Sequence, residues 1–204
     1  FQTRIHSAPE VTPDTLMEMK AGLAASAAMI PPSFNLDVVG YACTSGATMI
    51  GPSNVTAEVQ KVHPNAQVCT PITAVMRALN TLGAKKIGMV TPYIPEVSQE
   101  MRNLLIENGF DISALVSFEV STEAIVARIT ADAIKNAVRA AAVDGADAVF
   151  VSCTNLRTVD VIDELELELG ISIVTSNQAL AWDMLTSAGI STAQSAVPGR
   201  LSQT

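Results

Sequence analysis

Two cysteines stand at the ends of apolar segments, and small polar residues follow each of them. Cys43 lies in VVGYACTSG, residues 38–46, and Cys153 lies in AVFVSCTNL, residues 148–156. A single cysteine in such a position is more often a buried structural residue than a reactive one. Two copies favour chemistry, because thiols on opposite sides of one small cleft could deprotonate one face of a substrate and reprotonate the other. The pair therefore predicts an isomerisation or a racemisation.

The residues beside the thiols could bind the substrate of such a reaction. Thr44 and Ser45 follow the first cysteine, and Thr154 and Asn155 follow the second. Their hydroxyl, amide and backbone N–H groups could hold a carboxylate and stabilise the charge of an enediolate. They could also be ordinary caps of the helices that follow. Tyr93, in VTPYIPE, ends another apolar segment, and its phenol could donate to a second carboxylate.

Other kinds of site have little support in the sequence. Cys69 has no symmetric counterpart and is expected in the core, and His6 and His63 are both expected at the surface. None of these residues has the spacing of a metal site such as C-x-x-C. The sequence contains neither G-x-G-x-x-G nor a phosphate-binding loop, so we expect no nucleotide, flavin or metal, and no cofactor of any kind. A histidine near either cysteine is also missing, which disfavours a cysteine-protease mechanism.

Composition limits the class of protein. The chain has 204 residues, of which 49% are hydrophobic and 16% charged, and this balance is typical of a well-buried globular protein. Its net charge of -8 disfavours nucleic acids and anionic membranes as partners. No apolar run reaches the roughly 18 residues that a transmembrane helix needs. Three cysteines do not form a disulfide framework, so we expect a cytoplasmic location.

Strand-like and helix-like segments alternate along the whole chain. Strands are predicted at residues 1–6, 36–42, 67–69, 86–90, 111–118, 147–152 and 171–175. Helices are predicted at residues 12–30, 53–62, 73–83, 95–108, 124–143, 158–169 and 178–187. This alternation, with strands rich in valine and isoleucine, predicts an α/β protein whose parallel sheet is covered by helices on both faces.

The spacing of the segments indicates an internal duplication. Cys153 follows the strand that begins at Asp111 at the same distance at which Cys43 follows Phe1. We therefore expect two pseudosymmetric lobes, each a parallel sheet flanked by helices, with the active site in the cleft between them. Each thiol would lie at the carboxyl end of a strand and just before a helix, where free N–H groups lower the pKa of a thiol.

The duplication also divides the chain. Residues 1–80 form the first lobe and residues 81–177 the second, with residues 178–204 as a candidate addition to the first. The strand at residues 86–90 has no counterpart in the first half. We therefore expect the first lobe to lack its leading strand.

The motifs GYACTSG, VTPY and VFVSCTNLRT, followed by TSNQALAWDML, resemble the aspartate/glutamate racemase superfamily. Within it, the chain is most similar to the branch of maleate cis-trans isomerases and arylmalonate decarboxylases. The resemblance implies a cofactor-independent enzyme with two pseudosymmetric lobes, a small carboxylic acid as substrate, and assembly as a homodimer or homotetramer. The family also places an asparagine on its first strand, and this chain has no matching residue.

The resemblance implies a role for each motif. In maleate isomerases the cysteine that matches Cys43 adds to the double bond of the substrate, giving a succinyl-type adduct whose single bond can rotate. The cysteine that matches Cys153 handles the proton, and elimination releases fumarate. The positions that bind carboxylates match Thr44, Ser45, Tyr93, Thr154 and Asn155.

Three other functions stay open. An arylmalonate decarboxylase has glycine in place of Cys43, so the presence of both thiols argues against that branch. An amino-acid or hydantoin racemase would use the same thiols as paired acid and base, but its amino-acid substrate needs a partner for an ammonium group, and the motifs place no carboxylate there. A non-catalytic carboxylate-binding protein would leave the thiols without a purpose. We therefore expect an isomerase of small dicarboxylic acids, of the maleate type.

Overall fold

Two parallel β-sheets flanked by helices form the framework of the chain in the computed structural model, which describes residues 1–193 and 195–204. Within these residues, the smaller sheet pairs β1 (Val38–Gly40) with β2 (Gln67–Cys69). The larger sheet has the order β4-β3-β5-β6, and all of its pairs are parallel. Its strands are β3 (Lys86–Thr91), β4 (Asp111–Ser117), β5 (Ala148–Val151) and β6 (Ser172–Thr175). The predicted α/β architecture with parallel sheets and flanking helices is confirmed.

Five of the ten α-helices in the described part of the chain begin at a residue whose side chain caps them. Thr70 and Thr175 each form a reciprocal capping box with the residue three positions later, which satisfies backbone donors at the helix start. The helices are α1 (Pro13–Glu18), α2 (Leu23–Ala28), α3 (Thr44–Ile50), α4 (Pro52–Gln60), α5 (Pro71–Thr81), α6 (Pro95–Glu107), α7 (Glu123–Val126), α8 (Ala131–Ala141), α9 (Ile162–Leu169) and α10 (Ser176–Ser187).

The core of the larger sheet lies around β3 and β5. All four residues of β5 are buried, and five of the six residues of β3 are buried as well. A strand covered on both faces reads as a continuous apolar run, which explains why these two strands are visible in the sequence. On β3, Gly88 lies directly under α8, where a Cβ atom would collide with the carbonyl oxygen of Ala141. The glycine therefore lets the helix approach the strand closely.

The C-terminal helix α10 packs against α5, β1 and β2, and it also contacts β6. Its approach to β1 is close, because a Cβ atom at Gly40 would meet the side chain of Met184. Of these elements, β1 and β2 lie within residues 1–80, which α10 was expected to join, whereas β6 lies within residues 81–177. The division into residues 1–80 and 81–177 stays a prediction.

The strand predicted at residues 1–6 is wrong. This segment has no strand hydrogen bonds and instead lies against α2, where Ser26 Oγ donates to the carbonyl oxygen of Arg4 across 3.0 Å. The side chain of Ile5 also packs beside Gly22. A β-strand needs a hydrogen-bonded neighbour, and here the partner is a helix. The segment thus does not match β4, with which the spacing had paired it.

Two predicted helices have different limits in the structure. The helix expected at residues 124–143 is broken into α7 and α8, because Thr130 adopts an extended conformation and caps α8 by accepting from Ala133 N. The helix expected at residues 158–169 begins as the 3-10 turn Val159–Val161 and becomes α-helical only in α9. The helical spacing of apolar residues continues across both breaks, so the pattern alone did not reveal them.

His63 lies in the core rather than at the surface, which corrects the expectation from the sequence. Its side chain is buried, and its Nε2 atom lies 3.1 Å from the carbonyl oxygen of Ala27 on α2. His6 is exposed, as expected. None of the helices in the described part of the chain is long and apolar enough to cross a membrane.

Candidate active site

Cys43 lies just beyond the carboxyl end of β1 and caps the N-terminus of α3. Its Sγ atom accepts a hydrogen bond from Gly46 N across 3.3 Å, and Ser45 Oγ lies 3.8 Å away. Gly46 allows this arrangement, because a Cβ atom there would collide with Tyr41 Oη and crowd the thiol. The thiol is half-buried. The predicted position before a helix is therefore correct for Cys43.

Cys153 follows β5, but no helix begins beside it. The next regular element is the 3-10 turn at Val159–Val161, so the expected helix N-terminus is absent at this thiol. Instead, Asn155 N donates to Cys153 Sγ across 3.3 Å within an irregular loop. The backbone of Cys153 has φ +97°, a conformation that residues other than glycine rarely adopt. Strain of this kind is concentrated at functional sites.

Hydrogen bonds tie the two cysteine loops together. Ser176 Oγ, at the start of α10, accepts from Thr44 Oγ1 across 2.8 Å and from Cys153 N across 3.1 Å. Thr154 Oγ1 donates to the carbonyl oxygen of Ala42 across 2.9 Å. The bond of Thr154 joins the Cys153 loop to the residue before Cys43. The two bonds of Ser176 join both cysteine loops to the start of α10. The ends of β1, β5 and β6 therefore meet at one place.

Tyr93 joins this group from the end of β3. Its side chain is buried, and its phenol lies beside the thiol of Cys153. Burial raises the pKa of this phenol well above its ordinary value, and the nearby Cys153 and Cys43 thiols raise it further. Tyr93 therefore stays protonated at neutral pH and acts as a hydrogen-bond donor.

The pKa of each thiol is raised, which overturns the expectation of lowered values. Burial raises the pKa of Cys153 to about 12, and hydrogen bonds from Tyr93 and Asn155 oppose that increase. Burial also raises the pKa of Cys43, although hydrogen bonds from Gly46 and Ser45 favour its thiolate. The loss of water around the sulfur outweighs these donors, so both thiols are protonated at rest.

Glu123 is a member of the site that the sequence analysis missed. Asn155 Nδ2 donates to Glu123 Oε2 across 2.7 Å and to its carbonyl oxygen across 3.1 Å. After burial, the negative charge of this carboxylate is a further cause of the raised pKa of both Cys43 and Cys153. One signal was available, because Glu123 follows β4 by a few residues and so lies near the same edge of the sheet as Cys153.

The structure thus brings together both predicted thiols and most of the predicted binding residues. Thr44, Ser45, Tyr93 and Thr154 all contact a cysteine or its loop, as described above. The side-chain amide of Asn155 is directed at Glu123 and not at a thiol. Among the described residues, no three histidine, cysteine or acidic side chains cluster in a way that could hold a metal ion. The roles of the individual residues stay predictions.

Fold and site together are those of an α/β protein with two thiols near the carboxyl ends of its parallel strands. The sequence profile of arylmalonate decarboxylase matches residues 50–202. The chain belongs to the arylmalonate decarboxylase and maleate isomerase family, within the Asp/Glu racemase superfamily.

Two curated relatives illustrate the range of the family. Arylmalonate decarboxylase of Bordetella bronchiseptica is 33% identical over 124 residues, which cover 59% of this chain and 52% of that protein. Maleate isomerase of Pseudomonas putida is 26% identical over 161 residues, which cover 74% of this chain and 63% of that protein. The chain therefore spans between half and two thirds of the length of these relatives.

A solved structure of similar fold covers nearly all of the chain. It is a variant of the Nocardia farcinica maleate cis-trans isomerase in which one cysteine is replaced by serine, with a covalently bound succinylcysteine intermediate. Its TM-score is 0.87 at 23% sequence identity, and the match covers 99% of this chain and 84% of that one. At this identity the match establishes the fold.

Proposed function

We propose that the chain is a cofactor-independent cis-trans isomerase of a small carboxylic acid of the maleate type. Cys43 acts as the nucleophile and Cys153 as the acid and base. The observation that carries the proposal is the pair of cysteine loops joined through Ser176, which accepts from Thr44 and from Cys153 N. This connection favours a single site served by both thiols. Relatives named as maleate isomerases support the reaction class.

The proposed reaction has two steps that mirror each other. Cys43 loses its proton to solvent, and its sulfur then adds to one alkene carbon, forming a C–S bond while the thiol of Cys153 donates its proton to the other carbon. The former double bond is now single and rotates. The thiolate of Cys153 then removes a proton from that second carbon, the double bond forms again, and the C–S bond breaks. The trans acid leaves, Cys153 is again a thiol, and the thiolate of Cys43 takes a proton back from solvent.

Each thiol has donors suited to its role in this scheme. Gly46 N and Ser45 favour the thiolate of Cys43, which must be an anion to add to the substrate. Cys153 is buried, whereas Cys43 is half-buried. Cys153 therefore starts as the acid, consistent with its pKa of about 12. Ser45 and Tyr93 would offer hydroxyl donors to the carboxylates. Thr44 and Thr154 would bind them through backbone N–H groups, because their hydroxyls donate to Ser176 and to the carbonyl oxygen of Ala42.

The proposal extends to the arrangement of the two sheets and to the assembly of the protein. The two sheets would belong to pseudosymmetric lobes with the substrate in the cleft between them, and the protein would assemble as a homodimer or homotetramer. A cleft of this kind would exclude water from the adduct while its bond rotates.

Arylmalonate decarboxylation is the second candidate, because a decarboxylase is 33% identical over more than half of the chain. In that reaction Cys153 alone would protonate the carbanion left after loss of carbon dioxide. Cys43 would then have no chemical role. An amino-acid or hydantoin racemase, using both thiols, is the third candidate.

The experiment that tests the proposal is incubation of the full-length protein with maleate in deuterated water, followed by proton NMR and intact mass spectrometry. Fumarate, with a transient mass gain on Cys43, is the expected result. Release of carbon dioxide from phenylmalonate with maleate inert would favour the decarboxylase. Deuterium uptake at the α-carbon of an amino acid or hydantoin, again with maleate inert, would favour the racemase. Cys43→Ala should abolish the isomerase and racemase reactions while sparing decarboxylation.

A further inference from the structure

The carboxylate of Glu123 lies beside the pair of thiols and brings a negative charge to the site. Asn155 connects the two, because its backbone N–H donates to Cys153 Sγ across 3.3 Å while its side-chain amide donates to Glu123 Oε2 across 2.7 Å. The charge of Glu123 acts on Cys43 as well as on Cys153. A single residue therefore separates this carboxylate from the proposed proton donor.

Hydrogen bonds to residues 9–11 hold the backbone of the segment that carries Glu123. Glu123 N donates to the carbonyl oxygen of Pro9 across 3.1 Å, and Val11 N donates to that of Ser121 across 2.7 Å. An antiparallel bridge joins Glu10 to Thr122 between these bonds. Val11 itself is buried, which anchors the N-terminal segment that makes the bonds. Backbone hydrogen bonds thus hold the main chain at Glu123, and the amide of Asn155 holds its carboxylate.

The charge of Glu123 has no opposite charge beside it. In the part of the chain that the structure describes, no ion pair includes Glu123. Its hydrogen-bond donor is the neutral amide of Asn155. The titratable groups that it influences are the thiols of Cys43 and Cys153, and Glu10 on the neighbouring bridge adds a further acidic residue nearby. Glu123 therefore places a negative charge beside the thiols.

This charge conflicts with a substrate that has a carboxylate at both ends. The amide of Asn155, predicted to bind one of those carboxylates, is already bound to Glu123. A substrate carboxylate placed beside Asn155 would find that donor occupied. It would also face the negative charge of Glu123 in a partly dehydrated site, where repulsion between like charges is strong. A carboxamide or an ammonium group would instead donate hydrogen bonds to the oxygens of Glu123.

We infer that Glu123 selects the substrate class, favouring a small acid with one carboxylate and, at the other end, an N–H donor group such as a carboxamide or an ammonium. The inference rests on the proposed function for the carbon skeleton and the thiol chemistry, and it changes only the group that faces Glu123. Glu123 is a specificity determinant in this scheme. It forms no bond to the reacting carbons.

Equilibrium binding by calorimetry tests the inference without relying on turnover. The ligands are maleate, with two carboxylates, maleamate, with one carboxylate and one carboxamide, and cis-4-aminobut-2-enoate, with one carboxylate and one ammonium. The wild-type protein should bind maleamate or cis-4-aminobut-2-enoate more tightly than maleate, and which of the two binds identifies the donor group. In Glu123→Gln the preference should shift toward maleate by about tenfold or more, because the like charge is removed.

Glu119→Gln is the matched control, since it removes an exposed carboxylate from the same loop and should leave the preference unchanged. Melting curves establish that each variant is folded. Tighter binding of maleate by the wild type, or an unchanged preference in Glu123→Gln, would overturn the inference while leaving the proposed function intact. Failure of all three ligands to bind either protein would overturn both.

Discussion

Thr44 and Ser176 lie 132 positions apart in the sequence and share a buried hydrogen bond of 2.8 Å between their hydroxyl groups. The same oxygen of Ser176 accepts from Cys153 N. One serine at the start of α10 therefore fixes the loop of each cysteine relative to the other. A helix that is distant in sequence from both motifs thus takes part in building the site.

Replacing Ser176 with alanine should destabilise the protein and slow its reaction. Two donors, Thr44 Oγ1 and Cys153 N, would lose their acceptor, and unsatisfied buried donors cost about 1–3 kcal/mol each. We expect the free energy of unfolding to fall by about 2 kcal/mol or more. Urea unfolding measures this change. Ser53→Ala, at an exposed serine on α4, is the control and should change it by less than about 0.5 kcal/mol.

The three cysteines should respond differently to replacement by alanine. Cys43→Ala and Cys153→Ala remove groups that the proposed reaction needs, so turnover of the substrate should fall by about a thousandfold or more with the fold retained. Cys69→Ala should keep the wild-type rate, because Cys69 is buried beside Ser187 and away from the site. Steady-state rates and circular dichroism check both statements. A wild-type rate in either of the first two variants would contradict the two-thiol mechanism.

Alkylation of the thiols by iodoacetamide should depend on pH in an unusual way. The thiolate attacks the reagent, and the pKa of Cys153 lies at about 12, above the ordinary value of 9.0, with that of Cys43 raised as well. Because a raised pKa keeps the thiolate scarce, the rate at Cys153 should still rise about tenfold per pH unit at pH 9, where a free thiol is already half ionised. The rate at Cys43 should level off at a higher pH than that of a free thiol. Peptide mass spectrometry reports each site, with glutathione as the reference thiol. A plateau below pH 8 would show that the pKa is lowered instead.

Two strand glycines should differ sharply in their tolerance of alanine. At Gly88 the new Cβ atom would meet the backbone carbonyl of Ala141, which cannot move without shifting α8. We expect Gly88→Ala to cost about 3 kcal/mol or more in the free energy of unfolding. At Gly40 it would meet the flexible side chain of Met184, which can turn aside, so Gly40→Ala should cost about 1 kcal/mol. Equal costs would mean that α8 is not packed against β3 as described.

Secondary-structure elements could be predicted from the sequence where the local pattern and the tertiary structure agree. The buried strands β3 and β5 were recognisable because residues covered on both faces form continuous apolar runs. Cys43 was predicted to precede a helix, but the helix that begins there, α3 (Thr44–Ile50), comes before the one predicted at residues 53–62. The segment at residues 1–6 looked similar to a strand, but only its neighbours decide whether it pairs, and here they are helical.

Glu123 and Ser176 could not be assigned to the site from local sequence. Glu123 stands in STEAIV and Ser176 in VTSNQA, where an acidic residue in a first turn and a serine at a helix start are ordinary features. Their importance comes from contacts with loops far away in the chain. The raised pKa values of the thiols were missed for a related reason, because burial by the rest of the protein outweighs the local donors.

The backbone at Cys153, with φ +97°, suits glycine better than any side chain. A left-handed conformation of this kind costs a residue with a Cβ atom about 1 kcal/mol or more, which Cys153→Gly would recover. The proposed mechanism needs the sulfur at this position, so replacement by glycine would change thermal stability and activity in opposite directions.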